Sequence, residues 1–273
     1  MALKQHFYIN QAGTEAVLKR VLCMRIGERH FSFSISDKIG DRLCTLAYYT
    51  DGEINPDTLS EVFSRHGELH ASFAAVQVCY DHPASILAPT GHFHGAHARK
   101  LIQAVHGSTA QSVVLSEPVK PSELYNAYAV PEDIHEWVGR IFPAFRFRHH
   151  YTLAVNNLSD PPKHAILLEL DTDEFSFLVW RDGKLMLAQT LRYVTPEDIL
   201  YVLIKSCNQF SLSREDVDLY ISGLIVKESQ LYRELYQYFL RTRFRDVVWK
   251  IDEPENNPPH FFASLNDLAR CVS

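Results

Sequence analysis

Four short stretches carry the residues whose types and spacing suit chemistry. In Leu168-Glu169-Leu170-Asp171-Thr172-Asp173 three carboxylates alternate along a strand that runs into a turn. Such hard oxygen ligands can hold Mg²⁺, although acids also sit in hairpin turns simply to face water, and a solvated turn over Glu169, Asp171, Asp173 and Glu174 is the plainer expectation. In Gly91-His92-Phe93-His94-Gly95-Ala96-His97 three imidazoles, His92, His94 and His97, stand between glycines. Their spacing is open to a transition metal, but no carboxylate nearby completes a set, and an exposed loop leading into a helix is expected. Cys79 precedes Asp81-His82, which suggests a nucleophile; it also ends an apolar strand, where a small buried thiol is the commoner arrangement. His149-His150 follows Arg146 and Arg148 at alternate positions, which a strand sends to one face, so solvation of an edge strand is expected there. G-x-S-x-G, Walker, HExxH and dinucleotide GxGxxG signatures are absent from the sequence, which removes the common hydrolase, P-loop, zincin and Rossmann readings.

The elements that must position these residues come from a chain of 273 residues, 46% apolar, enough for one large domain or two lobes with real cores. A net charge of −6 with a pI near 6.1 argues against nucleic acid and anionic membranes as partners. Five scattered cysteines with no CxxC pair suggest reduced thiols rather than a disulfide framework. The N-terminal MALKQHFYINQAG lacks an apolar core of signal-peptide length, and no segment approaches the ~20 apolar residues of a membrane span. A cytoplasmic protein without direct membrane insertion is expected.

The chain repeats itself. Phe31-Ser32-Phe33 recurs as Phe175-Ser176-Phe177, each inside a strand-like run followed by a turn (Asp37 to Gly40; Arg181 to Lys184) and a second β-rich run (Arg42 to Thr50; Leu185 to Arg192). Each hairpin leads to a helix start, Asn55-Pro56-Asp57 or Thr195-Pro196-Glu197-Asp198, with a capping side chain, proline at the first helical position and acids at the positive end of the dipole. Apolar strands follow at Phe73 to Tyr80 and Val217 to Ile221, and Cys23 to Ile26 and His164 to Leu170 serve as the two first strands. A second helix is expected in each copy, over Ala96 to Val105 and Glu228 to Thr242. Between the copies lie a proline-bounded helix, Pro131 to Phe142, and an alternating run, Phe145 to Asn156. The turn formers of Asn156 to Pro162 mark a boundary, giving an N-terminal lobe over 1–158 and a C-terminal lobe over 159–273.

A duplicated β-β-β-α-β unit resembles the actin-like ATPase superfamily, built from two ribonuclease H-like α/β lobes with mixed sheets. The runs Thr195 to Ser213, Leu219 to Val226, Leu231 to Leu240, Asn126 to His135 and Pro259 to Val272 are similar to an uncharacterised bacterial family with an actin-like fold and no assigned activity. The resemblance covers nearly the whole chain. ATP-hydrolysing members of the superfamily hold phosphates on two DxGxxx hairpin turns, where glycine lets backbone N–H groups approach and an acid holds Mg²⁺. Here Glu169 keeps the acid of the second turn, while Asp171 and Asp173 stand where glycines are expected; in the first turn Gly27 survives but Arg25 replaces the acid; and Gly223 is the single glycine left in the adenosine-side turn. Each added carboxylate repels a phosphate by roughly 1 kcal/mol at 4 Å in water and about 4 at a more protein-like dielectric.

The resemblance therefore implies a degenerate nucleotide cleft, no cofactor, and a non-catalytic interaction or scaffold protein with an unknown protein partner or self-association. Two alternatives stand beside it: an ATP-binding or metal-dependent hydrolase using the acids of 169–173, and a small-molecule sensor binding in the old cleft. The helix carrying Tyr232, Leu235, Tyr236 and Phe239 suits core packing, with a partner-binding surface as its alternative.

Overall fold

The strands Val21–Gly27 and Phe31–Ser36 are buried at every position, the serines of the second included, as expected of central strands covered on both faces. The computed structural model describes residues 3–11, 20–50, 52–120, 122–158, 162–252 and 256–271. It divides the chain into two compact units, one of Met1–Asn157, Val248–Asp252 and Ser264–Ser273, the other of Leu158–Val247 and Glu253–Ala263. Part of the boundary foreseen at Asn156 to Pro162, residues 159–161, lies outside the described residues, as do residues 1–2 and 12–13 of the N-terminal stretch.

The first unit contains β1 (Lys4–Asn10), β2 (Val21–Gly27), β3 (Phe31–Ser36), β4 (Leu43–Thr50), α1 (Pro56–Arg65), β5 (Ala75–Asp81), β6 (Ser85–Pro89), α2 (Ala98–His106), β7 (Ser112–Val119), β8 (Leu124–Pro131), α3 (Glu132–Ile141), β9 (Arg146–His149) and α4 (His150–Asn156). Its main sheet runs β1-β4-β3-β2-β5-β9. The first four of these strands pair antiparallel, while β5 joins β2 and β9 joins β5 in parallel. Helix α1 starts where the sequence places it: the Asn55 side chain accepts from the Asp57 and Thr58 amides at 3.1 and 3.0 Å. Its buried face packs Phe63 edge-on against Trp137 of α3, with ring centroids 4.9 Å apart.

The second unit contains β10 (His164–Leu170), β11 (Glu174–Arg181), β12 (Lys184–Arg192), α5 (Pro196–Gln209), β13 (Asp218–Gly223), α6 (Gln230–Tyr238) and β14 (Arg241–Phe244). Its sheet runs β12-β11-β10-β13-β14, the same order as β4-β3-β2-β5-β9. The turn after the first strand is also repeated, with Gly27 N–H donating to His30 O at 3.0 Å and Asp171 N–H to Glu174 O at 2.9 Å. The duplication read from Phe31 to Phe33 and Phe175 to Phe177 is thus one of topology. Each unit has its own core, around Phe31, Phe33 and Phe63 in the first and around Phe175, Phe177, Leu203 and Leu235 in the second.

Three features depart from the sequence reading. The helical counterpart of α6 is α3, since β5–α3–β9 matches β13–α6–β14. Helix α2 instead belongs to an insertion after β5, packing Ala98 and Ile102 on Ala127 and Ala129 of the sheet β6-β8-β7. The expected helix Glu228 to Thr242 stops at Tyr238, and Arg241–Phe244 becomes an edge strand parallel to β13, a pairing that local propensity does not reveal. The alternating run from Phe145 splits into β9 and α4, because the His149 side chain accepts the Tyr151 amide at 3.2 Å and caps a helix there.

The segments 248–252 and 264–271, which the sequence reading places in the second lobe, pack with the first unit. Trp249 is almost fully buried and its indole N–H donates to Gly40 O at 2.7 Å. The last helix, α7 (Ala263–Arg270), lies against the same turn: a Cβ on Gly40, where φ is +78°, would meet Ala269 O at 2.5 Å. Trp249→Phe therefore leaves a buried carbonyl without its donor and is expected to cost about 1–3 kcal/mol. Hydrogen exchange should report the loss in β3 and β4 with β10 and β13 unchanged; equal loss in both units would contradict this assignment.

Candidate functional site

Parallel pairing brings the C-terminal ends of β2, β5 and β9 side by side. Gly27 stands opposite Asp81, and Tyr80 stands opposite His149, so His150 comes level with Asp81. The Asp81 carboxylate is 3% exposed and receives three side chains. Arg25 donates through Nε at 2.8 Å and through a second, shorter contact from its terminal nitrogen to the same oxygen. His150 Nδ1 lies 2.5 Å from the other oxygen, and His30 Nε2 lies 3.3 Å from the first. Burial alone would raise the Asp81 pKa; the Arg25 guanidinium and His150 beside it hold the carboxyl well below the usual range.

Two further histidines seal this end of the sheet. His149 is fully buried; its Nε2 meets His82 O at 2.8 Å while Nδ1 accepts from Tyr151 N–H. That pattern specifies the neutral tautomer protonated at Nε2, and burial drives its pKa well below the ordinary value. Burial also pushes His82 down to about 4. Glu117 of β7 accepts the His149 amide at 2.6 Å, and burial pushes its pKa up to about 7. The sequence expectation of solvated histidines on an edge strand is corrected: β9 is an edge strand, but the start of α4 and the insertion after β5 bury both rings.

The first turn, where a phosphate cradle is expected, is filled by its own side chains. Arg25 stands in place of the acid and is committed to Asp81, and a Cβ on Gly27 would lie 2.2 Å from the His30 ring. The approach surface that glycine opens is therefore taken by an imidazole. In the second unit the acids are less exposed than a solvated turn requires: Asp171 is 5% and Glu174 6% exposed. Asp171 Oδ1 accepts the Thr172 amide at 2.8 Å and the Thr172 hydroxyl at 3.2 Å. The Tyr193 hydroxyl donates to Asp171 O and Thr172 O at 2.9 and 3.1 Å, and its amide donates to Asp173 O at 3.1 Å. Burial, then the carboxylates of Asp171 and Asp173, raise the Tyr193 pKa. An amide that would serve an anionic ligand thus serves the turn's own carboxylate. Glu169 stands on β10 between Ser176 and Ser222.

Gly223 has a packing role of its own. Its φ is +84° and an added Cβ would lie 2.0 Å from Leu170 O, where Leu224 N–H donates at 2.8 Å. Backbone approach alone demands glycine at this position. Among the described residues no group of three or more His, Cys, Asp or Glu could hold a metal ion. Neither Glu169, Asp171 and Asp173 nor His92, His94 and His97 comes together as such a group. The three histidines lie on and between two successive short turns, Thr90–His92 and Gly95–His97, and His94 and His97 face each other at 6.0 Å. Cys79 is buried and is not in a disulfide. Of the central cluster the sequence singled out Arg25, Asp81 and the His149-His150 pair, but it missed their convergence and the part played by His30.

Removing one partner of a buried ion pair strands the other. Arg25→Met is therefore expected to destabilise the first unit by about 3–5 kcal/mol, and adding Asp81→Asn should recover most of the loss in denaturant titrations. Recovery of none would deny the pair its role. A second expectation concerns pH. Neutral His82 stabilises fully above its ordinary value of 6.5, and the contribution is lost as pH falls towards about 4. Protonated Glu117 stabilises fully below 4.5, and the contribution is lost as pH rises through about 7. The two slopes oppose, each up to about 1.4 kcal/mol per pH unit. Between pH 6.5 and 5, Glu117→Gln should steepen the fall in melting temperature on acidification and His82→Gln should flatten it; profiles parallel to the native one would refute the assignment.

No curated protein matches the sequence. Among solved structures the chain is similar to a Bacteroides thetaiotaomicron protein with an actin-like ATPase fold and unknown function, at 18% identity and a TM-score of 0.76, over 93% of this chain and 96% of that one. It is also similar to a chain of the PilM-PilN type IV pilus biogenesis complex, at 13% identity and a TM-score of 0.66, over 94% and 99% of the two chains. Ethanolamine utilization protein EutJ from Carboxydothermus hydrogenoformans follows at 7% identity and a TM-score of 0.52, over 96% and 92%. At these identities the likeness establishes fold, and the mixed α/β fold with its duplicated unit is that of the actin-like ATPases. Residues 12–241 match the sequence family described as "Protein of unknown function (DUF3822)", and the chain belongs to that family.

Proposed function

We propose that this protein is an actin-like-fold module that does not hydrolyse nucleotide and acts by binding another protein. The observation that carries the reading is the filling of the first turn: Arg25 is paired with Asp81, and the His30 ring lies on Gly27. Nucleotide hydrolysis needs an acid for Mg²⁺ and open backbone amides at that place, and here a guanidinium and an imidazole stand instead. Opening the turn to a phosphate means leaving Asp81 buried without its cation, which costs several kcal/mol before any ligand contact forms. The second unit supports the same reading, because Asp171 holds the Thr172 amide and places a carboxylate at the turn. A fold kept intact with its phosphate turns closed is suited to presenting surfaces. The similarity to a chain from the PilM-PilN complex, itself an assembly of proteins, supports a protein partner. Among the described residues no helix is long and apolar enough to cross a membrane.

Calorimetric titration with Mg-ATP is expected to show no saturable heat at millimolar nucleotide and no phosphate release. Affinity recovery of the tagged chain from its own cells should bring down a protein partner in amounts that ATP and Mg²⁺ leave unchanged. Saturable Mg-ATP binding that protects Gly27 to His30 from hydrogen exchange would overturn the proposal.

A further inference from the structure

Helix α6 turns Tyr232, Leu235 and the following Phe239 into the core of the second unit. This spacing uses one helical face and leaves other large side chains outside: Tyr236 is 58% exposed, Tyr238 43% and Leu240 63%. Isolated apolar residues on a surface are ordinary, but several together on a grooved face are not. A groove of about 530 Å³ is lined by Lys227, Tyr232, Arg233, Tyr236 and Gln237. A second, of about 390 Å³, shares Gln237 and includes Arg214, Tyr238 and Leu240. Both lie in the range of volumes that hold ligands or anchor side chains.

The aromatic floor is ordered in advance. Tyr236 stacks on Tyr232 with centroids 6.3 Å apart, Tyr232 on Phe244 of β14 at 4.9 Å, and Phe244 on His260 at 3.8 Å. His260 is fixed by its ring nitrogen, 2.7 Å from Ile225 O. A rigid aromatic column loses little conformational freedom when something docks on it, and tyrosine and arginine are the residues that carry most energy at protein interfaces. Charge selects the occupant. In a chain of net charge −6, the first groove is lined by two cations and no acid. The second adds Arg214, over the Tyr238 ring at 5.8 Å, against the single acid Glu215. Among the described residues Lys227 and Arg233 take part in no ion pair, and the Arg233 side chain makes one hydrogen bond, Nε to Ser229 O at 3.4 Å. Three cations on an acidic protein suit a short acidic segment and are far too few for a nucleic-acid backbone.

We infer that the outward face of α6, between Lys227 and Leu240, docks an acidic peptide segment of a partner protein. Its carboxylates meet Lys227, Arg233 and Arg214, and an apolar side chain lies on Tyr236. The inference deepens the interaction reading above and rests on it, by naming the surface and the chemistry of what it receives.

Selection of a random dodecapeptide phage library on the immobilised full-length chain tests it, followed by fluorescence-polarisation titration of the enriched peptides. Enriched peptides should be net negative and carry an aromatic or aliphatic residue. Their affinity should fall at least tenfold in Lys227→Glu/Arg233→Glu and in Tyr236→Ala, with the melting temperature unchanged, since all three side chains are exposed. The charge-reversed variant should in turn bind the same peptides better once their acids are replaced by lysine. Absence of enrichment, neutral or basic consensus sequences, or affinities that the variants leave unmoved would each overturn it. Cross-links from a captured cellular partner that avoid 227–240 would also overturn it while leaving the interaction reading intact, whereas Mg-ATP binding would remove that reading without touching the peptide result.

Discussion

A carboxylate sealed from water needs a cation or a set of donors beside it, and Asp81 has both. Arg25 reaches it from β2, His150 from the start of α4, and His30 from the turn between β2 and β3. Each of these groups is where it is because strands β2, β5 and β9 end level with one another. The pairing therefore constrains local architecture as much as chemistry: His150 must open a helix, His149 must cap it, and the insertion after β5 must close over both. A buried pair of this kind is a poor source of net stability, since desolvation offsets most of the Coulomb gain, but it is a strong specifier of arrangement because half of it cannot be tolerated alone.

The same turn occurs twice with different contents. In the first unit it is closed by a guanidinium and an imidazole; in the second, by a carboxylate bonded to its neighbour's amide and braced by Tyr193. The backbone geometry is shared, down to the amide-to-carbonyl bond across each turn, while the side chains that fill it are opposite in charge. Turn geometry of this kind is imposed by the antiparallel strands on either side, so it is independent of the side chains that fill it. Gly223 makes the same point: its glycine is demanded by Leu170, and no ligand need be invoked to explain it.

The second unit carries an aromatic column that runs from His260 through Phe244 and Tyr232 to the exposed ring of Tyr236, flanked by cations that the chain's acidic balance does not predict. The exposed end of the column is continuous with the core.

By itself the sequence determined the duplication, the hairpins and the capped starts of α1 and α5, because these rest on local periodicity and capping chemistry. It also yielded the actin-like fold class, through resemblance spread over most of the chain. Only tertiary structure decided that the helix matching α6 is α3, that Arg241–Phe244 is a strand, and that His149 and His150 are buried, since each depends on pairing between segments distant in sequence. The convergence of Arg25, His30, Asp81 and His150 belongs to the same class: those residues span three strand ends and a helix start, and no spacing along the chain encodes a meeting that parallel strand register alone creates.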